Sequence, residues 1–180
     1  MYKQIYPVIG DEKNLPFYVV GLGLESWQFP IKRADGYEYP QIFLSRSGEG
    51  EVIINGETTK IPPDTVFYIP PFCPHEYHAL SDAWYLDWIA FSGSQVIPLL
   101  EQWKLNKFTA IQGVDMERLN IPLHTTFYCF IKLLANHAFT SFKPFFLLRV
   151  SQAYIYNSAL SCIIRVRKNS RLRPIKVRDG

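Results

Sequence analysis

Between Leu15 and Phe91 the apolar positions come in short runs, many alternating with polar ones, and each run is closed by a turn signal. The pattern predicts strands at Phe17–Leu24, Tyr39–Ser45, Glu51–Ile54, Thr58–Ile61, Val66–Ile69, His75–Leu80 and Trp84–Phe91. Asn55-Gly56 is the clearest turn, because both residues accept positive φ and so close a two-residue hairpin. Gly48 and Gly50 bracket another bend, and Pro62, Pro63, Pro70, Pro71 and Pro74 lack amide donors, which confines their segments to strand ends and loops. After Phe91 the period changes. Gln95–Lys107 reads as a short helix with Pro98 in its first turn. Leu119, Leu123, Phe127, Phe130, Ile131 and Leu134 recur at three- and four-residue steps as one apolar stripe of a helix, and Pro144–Ile164 reads as a second helix. The stripe covers either the chain's own barrel or the same stripe of a second copy.

Composition places this pattern in a folded, aromatic-rich domain: 48% of the 180 residues are hydrophobic, 16% aromatic and 19% charged. The length suits one core and a few helices, not two full domains. Cys73, Cys129 and Cys162 are odd in number and form no CxxC pair, so a reducing, cytoplasmic setting is expected. The first residues, MYKQIYPVIGDEKNLP, contain no apolar signal core. Phe145–Ile164 is the most membrane-like stretch, and Arg149, Gln152 and Asn157 argue against its spanning a bilayer. Residues 1–110 hold 8 Lys+Arg against 13 Asp+Glu, and residues 111–180 hold 11 against 3. The basic excess sits in the last sixteen residues, from Arg165 to Arg178, which form either a solvated tail or a phosphate-contacting one.

No catalytic constellation emerges. His75 follows a proline turn, where a packing role competes with a ligand role, and Cys73 two residues earlier does not by spacing alone contact its imidazole. Asp87 and Glu76 are isolated carboxylates, not a spaced pair.

The segment Gly36–Gly93 resembles the cupin barrel that precedes the DNA-reading half of AraC-type bacterial regulators. The marks, in order, are a strand ending in SGEG, the Asn55-Gly56 hairpin, the proline-framed PPFCPHEY and the closing WYLDWIAF. The resemblance spans roughly residues 10–135 and implies a mainly β, jelly-roll barrel followed by C-terminal α-helices. With it the chain divides into an arm over residues 1–16, an effector-binding barrel over 17–93 and a helical dimerisation region over 94–164, and the charge count adds a basic tail over 165–180. In metal-binding cupins the second motif ends in His, matched here by Asp64, Pro70 and His75, but the first motif's ligand positions fall on Asp35, Tyr37 and Gln41. That set suits no transition metal, so neither metal nor cofactor is expected.

What the resemblance implies instead is a pocket for a small molecule, with carbohydrate as the expected class. The residues that hold sugar in arabinose-sensing members match Arg33, an arginine shortly before the first barrel strand, Tyr77 after the proline-His turn, and Trp88 on the last strand. Leu86 stands where the arabinose sensor has an imidazole, which shifts the expected effector away from arabinose. Trp84, Leu86 and Trp88 share a face by the two-residue period, and Tyr37 and His75 complete the expected pocket. For each aromatic, plain core packing is the competing explanation. The family reads DNA through two helix-turn-helix units, so DNA contact is expected only through a domain outside these residues. The expected function is effector sensing and homodimerisation without membrane contact. A small metal-dependent cupin enzyme of isomerase or dioxygenase type, and a stand-alone carbohydrate-binding module, are the alternatives.

Overall fold

A computed structural model describes residues 3–117. The described chain runs β1 (Lys3–Ile5), a 3-10 turn (Asp11–Asn14), β2 (Tyr18–Trp27), β3 (Ile31–Arg33), β4 (Gln41–Ser47), β5 (Gly50–Ile54), β6 (Glu57–Ile61), β7 (Thr65–Ile69), β8 (His75–Ala79), β9 (Tyr85–Ser92), α1 (Val96–Gln102) and β10 (Thr109–Ile111). Two antiparallel sheets result, a six-stranded one ordered β1-β2-β9-β4-β7-β10 and a four-stranded one ordered β3-β8-β5-β6.

Every strand expected from the alternation is present, with ends displaced by up to three residues. Asn55 and Gly56 both take positive φ, 53° and 78°, and close the β5–β6 hairpin in the register Ile54 opposite Glu57. The three-residue strands β1, β3 and β10 are additions, since so few residues show no period. The expected Gln95–Lys107 helix is shorter. Lys104 takes the left-handed conformation, φ 56°, and the amides of Lys104 and Leu105 return to the carbonyls of Glu101 and Leu100, which terminates α1. The Leu119–Leu134 stripe, the Pro144–Ile164 helix and the basic tail lie outside the described residues.

Side chains from both sheets meet in one core, including Phe43, Val52, Ile61, Phe67, Tyr77, Trp84, Leu86, Trp88 and Ala90. Each buried aliphatic or aromatic group contributes about 1.5–3 kcal/mol by leaving water. Phe43 and Phe67 stack with ring centroids 4.6 Å apart. Register fixes depth in this core: Ser45 lies opposite Leu86, Phe43 opposite Trp88 and Gln41 opposite Ala90. At the Ser45 level the barrel is filled. Trp84 and Leu86 are fully buried there, Trp84 donates from Nε1 to Ser45 Oγ at 2.9 Å, and Gly50 leaves the space its ring occupies. The Gln41 end is polar.

A buried ion pair braces the sheet on its other face. Asp87 is wholly buried, pairs with Arg46 through Nη2 and through Nε at 2.6 Å, and accepts the Glu25 amide at 2.7 Å on its second oxygen. Glu25 has φ 49° within the bulge of β2 between Gly23 and Ser26. The carboxylate therefore holds the irregular stretch of β2 against β9.

Candidate functional site

The polar end of the barrel begins with a latch between two loops. Gly36, at φ 74°, approaches the backbone so closely that a Cβ would lie 2.5 Å from the Cys73 nitrogen, and the Phe72 amide donates to the Tyr37 carbonyl at 2.7 Å. This contact fixes the loop after β3 against the proline turn before β8. It sets Arg33 opposite His75 and Ile31 opposite Tyr77 in an antiparallel pair. Arg33, His75 and Tyr77 face inward by strand alternation, while Lys32 and Glu76 face outward and pair with each other at 2.5 Å.

Arg33 donates from Nη1 to the Gln41 side-chain oxygen at 2.9 Å, and its guanidinium carbon lies 4.5 Å from the Tyr37 ring centroid. His75 is 2% exposed. Its Nδ1 sits 2.7 Å from the Cys73 carbonyl oxygen, an acceptor only, so Nδ1 carries the proton. Nε2 is then a lone-pair acceptor, and it is buried without a partner. Burial lowers the imidazole pKa below its ordinary value, and the Arg33 charge lowers it further against the opposing Cys73 hydrogen bond. The ring lies parallel to Tyr77 at 5.9 Å. Burial pushes the Tyr77 phenol up to about 12, with Arg33 opposing, so its hydroxyl remains a donor at neutral pH. Burial also raises the Cys73 thiol, which keeps it protonated.

An aromatic platform adjoins this cluster. Trp88 lies over β2 where two alternate glycines leave room: a Cβ at Gly21 would meet Trp88 Cζ3 at 3.0 Å, and one at Gly23 would overlap Trp88 Nε1. Beta1 pairs with β2, placing Gln4 opposite Gly23 and Ile5 opposite Leu22. Tyr6 follows, 64% exposed, with its ring 5.6 Å from that of Trp88. The N-terminal segment thus sets an aromatic lid on the platform.

Of the residues anticipated from sequence, Arg33, Tyr37, His75 and Tyr77 come together at the polar end, with Trp88 one level deeper. Trp84 and Leu86 share Trp88's face and lie with it and Tyr77 in one core cluster, where Trp84 meets Tyr77 edge-on with ring centroids 6.3 Å apart. Arg33, expected shortly before a barrel strand, stands eight positions ahead of Gln41 at the start of β4 and is also the last residue of β3, whose three residues gave no periodic signal. Sequence reasoning considered Gln41 only as a lost metal-ligand position and missed its pairing with Arg33. Tyr6 falls within the expected arm over residues 1–16, and its contact with Trp88 had no sequence signal. The Arg46–Asp87 pair, 41 positions apart, had no local signal.

These residues do not fit a metal ion. Among the described residues no group of three or more His, Cys, Asp or Glu converges. Asp35 is exposed, Gln41 is engaged by Arg33, and the guanidinium charge beside His75 opposes a dication. Among the described residues no helix is long and apolar enough to cross a membrane.

A mainly β, double-sheeted barrel with a polar cluster at one end defines the cupin class. The chain belongs to the family of AraC-like ligand-binding domains, whose model matches residues 15–143. No curated protein sequence gives a significant match. Among solved structures it is similar to ToxT K231A of Vibrio cholerae, with 10% identity over 87% of this chain and 58% of that one at a TM-score of 0.46. It is also similar to a Cupin 2 conserved barrel domain protein of Salinispora arenicola, with 16% identity over 56% and 82% of the two chains at 0.38. A third similar structure is the salicylate 1,2-dioxygenase of Pseudoaminobacter salicylatoxidans, with 18% identity over 61% and 30% at 0.36.

Proposed function

We propose that this domain senses a small hydroxylated effector, a carbohydrate or a close relative, at the polar end of the barrel, and performs no chemistry on it. The observation that carries this reading is the convergence of Arg33, His75 and Tyr77 at one end of the barrel, with Trp88 in the same core cluster as Tyr77. Fixed donors and an unfilled acceptor address hydroxyls, and an aromatic plane addresses a sugar's C–H face. The guanidinium and the bare Nε2 bind and orient; the thiol nearby is protonated and gives no nucleophile.

Tyr6 supplies the link to signalling. It rests on Trp88, so an effector that stacks on the indole must displace or recruit it, and β1 reorders with it. In a regulator of this family this ordering biases a homodimer formed through the Leu119–Leu134 stripe, in a bacterial cytoplasm. A thermal-shift screen of mono- and disaccharides identifies the effector, because a ligand of the folded state raises the melting temperature by mass action. Calorimetry on variants then tests the site. Trp88→Leu weakens binding by about 1–2 kcal/mol through loss of the platform. Arg33→Ala costs about 1–3 kcal/mol by stranding effector oxygens. Unchanged affinity in both variants rules the site out.

A further inference from the structure

Arg33 brings a positive charge into the polar end, and among the described residues it forms no ion pair. Its hydrogen-bond partner is the neutral Gln41 amide, and its flat face is met by Tyr37. The nearest acids in sequence and register are otherwise placed: Glu76 faces outward to Lys32, and Asp35 and Glu38 are exposed on the following loop. The remaining guanidinium donors are therefore suited to an anion from outside the chain, and a carboxylate meets them in the bidentate geometry that Arg favours.

Directly across the strand pair, His75 asks for the opposite group. Its Nε2 lone pair is buried and unmet, and it needs a donor. A carboxylate accepts and cannot supply one; a hydroxyl can. A neutral sugar would satisfy His75 and meet the Arg33 donors with hydroxyl oxygens alone, without a charge to pair with the guanidinium. A simple carboxylic acid would satisfy Arg33 and leave Nε2 orphaned.

We propose that the effector is a sugar acid: its carboxylate binds the free donors of Arg33, a hydroxyl donates to His75 Nε2, and its C–H face lies on Trp88. The proposal rests on the effector-sensing role given above and names the effector's class. The two polar requirements sit on facing residues of adjacent strands, within the span of one such molecule.

Isothermal titration calorimetry of the full chain tests it with D-galacturonate against D-galactose, D-glucuronate against D-glucose, and benzoate as an acid without hydroxyls. Within each sugar pair only the C6 group changes. An acid is expected to bind about tenfold or more tightly than its neutral partner, since a bidentate ion pair with Arg33 replaces a hydrogen bond from its guanidinium to a neutral oxygen. Arg33→Gln should bring that ratio near one while circular dichroism stays unchanged. His75→Phe, which keeps a ring against Tyr77, should weaken acid and neutral sugar by the same factor. Equal or tighter binding of the neutral sugars overturns the sugar-acid assignment and leaves effector sensing intact. Benzoate binding as tightly as the uronates overturns the role of His75. If no sugar or acid binds, the assignment falls, and effector sensing falls with it only when the broader thermal screen also finds no ligand sensitive to Trp88→Leu.

Discussion

Truncating Asp87 to Ala removes the one acceptor that serves both the Arg46 guanidinium and the Glu25 amide. The Arg46 side chain is 15% exposed, so the stranded cation cannot simply hydrate, and breaking a buried pair from one side costs about 3–5 kcal/mol. An unmet amide in the β2 bulge adds a share of about 1–3 kcal/mol, part of which overlaps with the loss of the pair. A net loss of about 4 kcal/mol follows, a large part of the 5–15 kcal/mol that holds typical domains together. Asp87→Asn retains an oxygen for the Glu25 amide and should lose less than Asp87→Ala. Arg46→Met combined with Asp87→Ala removes both charges, so the double variant should cost well under the sum of the two single changes. Urea unfolding followed by circular dichroism measures the parent, Asp87→Ala, Asp87→Asn, Arg46→Met and the double variant, with comparable m-values as the check that the end states match. If Asp87→Ala costs less than about 1 kcal/mol, or if the two changes simply add, the carboxylate is not the brace of β2 described here. The consequence reaches the site, because β2 carries the glycines beneath Trp88.

Gly23→Ala should destabilise by about 1–3 kcal/mol, since the new Cβ meets Ser26 Oγ at 2.5 Å and overlaps the Trp88 indole, and adding Trp88→Leu should recover most of that loss in thermal melts. Gly21→Ala, with its nearest contact at 3.0 Å, should be milder. The folded-state pKa of His75 lies below its ordinary 6.5, so its stabilising contribution is complete above about pH 6.5 and is lost as pH falls below it. Melting temperatures from pH 8 to pH 5 should show this decline less steeply in His75→Gln, and equal slopes in the two chains would refute it. Effector affinity should fall over the same acidic range, because protonated Nε2 has no lone pair to offer. Replacing Phe127 and Leu134 together with Glu should give a folded monomer by light scattering. A parent chain already monomeric at high micromolar concentration would assign the stripe to the chain's own core.

The sequence was most legible where a local rule acts on a local pattern. The β-rich runs Phe17–Leu24 and Trp84–Phe91 announced the strands that span Tyr18–Trp27 and Tyr85–Ser92, and Asn55-Gly56 announced its hairpin because positive φ at two successive residues is a property of those residues. Motif order along Gly36–Gly93 was enough to place the chain in its family. Where a local cue was missing, the expectation failed. Lys104 ends α1 in a conformation usually left to glycine, and β3 is too short to show a period, which hid Arg33's place on a strand. Shared strand parity grouped Trp84, Leu86 and Trp88 correctly on one face, but parity carries no register, and only the register set Leu86 opposite Ser45 and Trp88 opposite Phe43, with Tyr6 against the Trp88 ring.

By itself, then, the sequence determined the seven longer strands, the shared face of Trp84, Leu86 and Trp88, and the family the barrel belongs to, because each depends on neighbours along the chain. Only the tertiary structure decided that Arg33 would face His75 with no carboxylate beside it, that Gln41 would hold that arginine, that Tyr6 would cover Trp88, and that Asp87 would find Arg46. Those pairings join residues on different strands, and their partners are set by sheet register and loop contact, which are settled only when the whole core closes.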